Sequence, residues 1–100
     1  MIDKDFNRII DERLQKCKET LQLKSYEYAL PNDRLANFRR ASRILTDSKE
    51  MALIGMFVKH LVSILEMVDK GEYPEAMWDE KIGDTINYLL LLDACVKDKG

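Results

Sequence analysis

Six polar side chains on two mostly apolar stretches are the residues most able to do chemistry. Lys59, Ser63 and Glu66 interrupt the run MALIGMFVKHLVSILEMV at 51–68, and Glu80, Asp84 and Asn87 repeat their i, i+4, i+7 spacing nearer the C-terminus. At about 100° per residue, each triplet makes one narrow stripe on a helix. A lysine or a carboxylate in apolar surroundings is costly unless a charged or polar partner faces it. The two stripes are therefore expected to face each other. One outcome is a buried Lys59–Asp84 or Lys59–Glu80 ion pair that only fixes helix register; the other is a small acidic site between the two helices. A further acid, Glu27, lies between Tyr26 and Tyr28, with Asp33, Arg34 and Asn37 a short way on. Either Glu27 points to water while the tyrosines cap the core, or it joins the same site.

Other polar residues read more plainly. His60 is the only histidine, about 100° round from Lys59, and is expected as a partly buried structural residue or at a subunit contact rather than as a catalytic base. Ser63 has no partners for nucleophilic catalysis and reads as a small polar spacer. Arg34, Arg39, Arg40 and Arg43 form a basic cluster that is either a solvated face or, for one or two of them, phosphate-facing. Cys17 and Cys95 are far apart, without metal-ligand spacing, and read as reduced core thiols.

The elements that must position these residues are helices. One hundred residues with 46% hydrophobic and 34% charged composition, four Gly and two Pro, predict a single all-α domain spanning 1–100. Phe6, Ile9, Ile10, Leu14, Cys17 and Leu21 give a helical period from residue 3 to about 25. Pro31 and Asn32-Asp33 break it, and a second, basic helix is predicted from Arg34 to Leu45. Asp47 and Glu50 have the spacing of a capping box for the central helix, which runs to Asp69 or Lys70 and closes on Gly71. Pro74 suits the first turn of a last helix that reaches Lys97 and buries Met77, Trp78, Ile82, Ile86, Leu89, Leu90 and Cys95. The five methionines are expected in the core. The central run, apolar on nearly every side, is expected at the middle of a four-helix bundle, and the short link at 71–73 makes it antiparallel to the last helix.

A net charge near −2 with no basic face speaks against general nucleic-acid binding. The start MIDKDFNRII is too acidic for a secretory signal, and Lys59, His60 and Glu66 argue against 51–68 as a membrane span, so a cytoplasmic protein is expected. So apolar a helix in so short a chain also predicts a homo-oligomer, most simply a two-fold dimer.

Taken together, Glu27-Tyr28-Ala29, Asn37-Phe38, Lys59 on an apolar helix, and Glu80 with Asp84 before Asn87-Tyr88 resemble the MazG-like all-α nucleotide pyrophosphatase superfamily, and most of all a small branch found in bacteriophages. The resemblance covers about residues 20 to 95. It implies Mg²⁺-dependent cleavage of a nucleoside triphosphate to monophosphate and pyrophosphate, with carboxylates on facing helices holding the metal. Carried over, Glu80, Asp84 and Glu27 are the metal ligands and, with Lys59, the catalytic set. Lys59 neutralises phosphate, and Arg34, Asn37 and Asn87 reach the nucleotide. The chain departs from the better-known enzymes at two places. Their Glu-x-x-Glu helix is replaced by Lys59, Ser63 and Glu66, and their Glu-x-x-Asp becomes Lys81 three residues before Asp84, with Glu80 the nearest acid. Fewer acids favour one weakly held metal or none. Two other functions fit the same residues: nucleotide binding or sequestration without turnover, and a structural or protein-interaction module in which Lys59, Glu80 and Asp84 form a buried charge network.

Overall fold

The computed structural model describes residues 1–23 and 33–99, and its regular elements are all helices: α1 (Asp3–Leu23), α2 (Ala36–Leu45), α3 (Lys49–Lys70) and α4 (Glu75–Lys97). The fold is an all-α bundle. Each boundary has a local cause. Gly71 closes α3 at φ 76°, and its N–H donates to the Met67 carbonyl at 2.8 Å. That left-handed turn suits glycine, which has no Cβ to clash. Pro74 lies just ahead of α4 in extended geometry, and its carbonyl accepts from Met77 N at 3.0 Å.

The capping box expected at Asp47 and Glu50 is not what starts α3. Ser48 is the N-cap, its hydroxyl accepting from Met51 N at 3.1 Å, while Asp47 Oδ1 accepts from Ser48 N at 2.7 Å. Before it, α2 ends on Thr46 at φ 54°, a left-handed conformation rare for a β-branched residue. The two helices are thus turned against each other within three residues, and the helix start moves one position along.

α3 and α4 are antiparallel, as their short connection predicts. As α3 advances from Lys49 through Phe57 to His60, its partners on α4 run back from Asp98 through Tyr88 to Asp84. α1 lies on α4 in the parallel sense: Arg13 meets Asp79, and four residues on, the Cys17 thiol meets the Gly83 carbonyl. Leu35, Phe38, Leu53 and Cys95 form a core where α2, the start of α3 and the end of α4 converge, with Phe57, Tyr88 and Leu91 packed against it.

That core is smaller than the sequence predicts. On α3 only Ala52, Leu53 and Met67 are buried, so the central run is covered on one face rather than enclosed. Of the methionines, Met67 is buried and Met1, Met51 and Met77 are exposed. On α4 the expected core residues Met77, Ile82, Leu89 and Leu90 are exposed, Trp78 and Ile86 are half-buried, and the buried positions are Cys95 and, unexpectedly, Asn87. On α1, Phe6, Ile9, Ile10 and Leu14 keep their apolar period without a covering surface, and only Cys17 is buried. The radius of gyration, 15.4 Å, exceeds the ~13 Å of a close-packed domain of this length, in keeping with the exposed apolar faces of α1 and α3.

Candidate functional site

The parallel seam between α1 and the first half of α4 opens into a hollow of about 330 Å³, and Glu80, Asp84 and Asn87 line it together. Their spacing puts them one turn apart on a single face of α4, as expected from the sequence. The opposite wall is α1, which contributes Arg13 and Lys16. Arg13 donates from Nη1 to the Asp79 carbonyl at 3.0 Å and from Nη2 to Asp79 Oδ1 at 2.6 Å, and Lys16 Nζ stands 4.0 Å from the other carboxylate oxygen. A Cβ at Gly83 would lie 3.1 Å from Arg13 Nη1 and would push the guanidinium back by a few tenths of an ångström.

Asn87 is the most distinctive group. It is 8% exposed, and its Oδ1 is buried with no hydrogen-bond donor. A buried carboxamide oxygen without a donor carries a desolvation cost that a bound N–H or O–H would offset.

Lys59 is not in this hollow. It is exposed, and the α3 side chain that meets Asp84 is His60, with Nδ1 3.9 Å from Oδ2 and its ring centroid 4.9 Å from that of Tyr88. The expected pairing of the Lys59–Ser63–Glu66 stripe with the acids of α4 is therefore replaced by one about 100° round the helix. The reason is desolvation. Turning Leu53, Phe57, His60, Ile64 and Met67 inward buries apolar groups and an imidazole that can shed its charge, and it leaves the ammonium in water. Burial of the ring holds the His60 pKa below its ordinary value, against the opposing pull of Asp84. Ser63 satisfies its hydroxyl on the Lys59 carbonyl at 3.0 Å, and Glu66 is exposed.

Arg34 lines a second, larger hollow of about 660 Å³ further along the same α1–α4 seam and donates to the Leu21 carbonyl. Beside it Arg39 bridges Asp33 and Asp98, tying the start of α2 to the end of α4, so this arginine belongs to neither a solvated face nor a free phosphate site. The hydrogen bond from Arg39 holds the Asp33 carboxyl below the usual range. Asn37 is exposed on α2. Glu27 lies outside the described residues. Both thiols are buried and free, and burial raises their pKa.

Among the described residues no group of three or more His, Cys, Asp or Glu converges as a metal site. Four carboxylates line the open hollow, Glu19, Asp79, Glu80 and Asp84, of which Asp79 is taken by Arg13 and Glu19 accepts from Gln15. Glu80 and Asp84 do not form a cage, but they suit a hard cation that takes its remaining ligands from water and from a substrate's phosphates. The lining residues that sequence reasoning missed are Arg13, Lys16, Glu19, Thr20, Asp79 and Gly83. Comparison with family models, with curated proteins and with solved structures finds no match to this chain.

Proposed function

We propose that the protein binds a nucleoside triphosphate in the hollow between α1 and α4 and hydrolyses it to monophosphate and pyrophosphate, as the resemblance to MazG-like pyrophosphatases implies. The observation that carries this reading is the company kept by Asn87: a buried acceptor without a donor shares one hollow with Glu80, Asp84 and the cations of α1. In this reading Asn87 accepts from an N–H or O–H of the base or sugar, Lys16 takes a phosphate oxygen, and Arg13, held on Asp79, fixes the wall opposite. Glu80 and Asp84 would hold Mg²⁺. A cation held by these two carboxylates would neutralise phosphate charge and make an attacking water more acidic. Lys59 has no part in it. Under the same reading the protein works in the cytoplasm, where its triphosphates are found.

The test is pyrophosphate release from a panel of ordinary and modified (d)NTPs with Mg²⁺ or Mn²⁺. Turnover is expected to fall by at least about a hundredfold in Asp84→Asn and Glu80→Gln, with Lys59→Ala unaffected at saturating protein concentration. No pyrophosphate from any nucleotide removes the proposal. The departures from the Glu-x-x-Glu and Glu-x-x-Asp patterns favour a second reading, binding without turnover. Calorimetry would reveal it as metal-independent nucleotide binding that Asn87→Leu abolishes.

A further inference from the structure

α3 carries two apolar stripes, and the protomer uses one. Leu53, Phe57, His60, Ile64 and Met67 face α4 and the core. On the opposite side Met51, Gly55, Val58, Val62 and Leu65 recur at alternating spacings of four and three, and all five are exposed, Val62 at 47% and Leu65 at 60%. Leu61 and Val68 widen that outer face. Spacings of four and three are those of a seam between two packed helices. An apolar face of this extent on a water-soluble helix marks a surface that another body covers.

We infer that this outer face of α3 is the interface with a second copy of the same chain, α3 lying antiparallel on its counterpart across a two-fold axis. The choice of occupant rests on charge. The stripe is flanked on one side by Lys59 and Glu66, one heptad apart, both exposed. No ion pair within the protomer involves either side chain among the described residues. In an antiparallel two-fold pair, like flanks meet, so Lys59 of one protomer comes beside the partner's Glu66 and the reverse pair forms as well. In a parallel pair the same two charges would face the apolar flank carrying Leu61 and Val68. The surface is therefore self-complementary in one orientation, which is the requirement for an isologous interface. It also gives Lys59 a role that the hollow does not.

By length and composition α3 is long and apolar enough to cross a membrane. Lys59 and Glu66 inside that span, together with the packing of its inner face on α2 and α4, favour the protein partner over lipid.

Sedimentation equilibrium over a wide concentration range tests the inference, with helicity followed by circular dichroism. The expected result is a dimer that Val62→Glu with Leu65→Glu converts to a folded monomer. Lys59→Glu alone and Glu66→Lys alone each set like charges together and should raise the dimer Kd about tenfold or more. Combining the two should restore it. These two positions are exposed, so the swap reads out even if the stripe variant fails to fold. A monomer at all concentrations, a dimer insensitive to the charge reversals, or self-association replaced by insertion into phosphatidylcholine vesicles would each overturn it.

Discussion

His60 and Lys59 exchange the roles that their charges suggest. The imidazole faces Asp84 and the ammonium faces water, because histidine can become neutral at modest cost and lysine cannot. The consequence is a pH dependence with a definite sign. Burial lowers the His60 pKa in the folded chain, so the unfolded state takes up the proton first as pH falls through the ordinary histidine range. Stability then drops with acidification. Melting temperature is expected to decline between about pH 7.5 and 5.5, and His60→Gln should flatten that part of the profile. A melting temperature that instead rose on acidification would mean that the Asp84 contact outweighs desolvation.

At the scale of elements, the α2–α3 corner concentrates local strain and local capping in adjacent residues. Thr46 holds a left-handed turn that glycine would adopt freely, and Ser48 supplies the hydroxyl that starts α3. Opposite effects follow from neighbouring substitutions. Ser48→Ala should cost about 1 kcal/mol through the lost cap, whereas Thr46→Gly should be neutral or stabilise by up to ~1 kcal/mol by relieving the strain. Urea titrations of the two variants decide it, with equal destabilisation by both counting against the turn geometry. The same corner explains why the helix boundary slipped from Asp47 to Ser48. Either residue is a competent cap by type, and the sharp exit from α2 determines which hydroxyl or carboxylate lies under the first free N–H.

The whole molecule is held together unevenly. α2, α3 and the end of α4 share a core, but α1 is held by Cys17 and by Arg13 on Asp79. Arg13→Ala should loosen α1 by about 1 kcal/mol, a partly exposed ionic hydrogen bond. Hydrogen exchange should quicken along α1 while α3 and α4 keep their protection; uniform quickening would mean that the chain opens as one unit. Much of this arrangement could be read beforehand. Apolar period defined the helices, Gly71 marked the turn of the α3–α4 hairpin, and the spacing of Glu80, Asp84 and Asn87 put them on one face, since each depends only on neighbours in the chain. Two matters could not be read. α3 is apolar all round, so its period does not say which side turns inward, and the choice fell to the relative cost of burying Lys59 or His60. The wall opposite the acids was likewise hidden, because Arg13 reaches Asp79 across most of the chain and no local pattern records which helix docks there. Local geometry is written in residue spacing; helix rotation and long-range docking emerge only when every face competes at once for the little apolar cover that a hundred residues can provide.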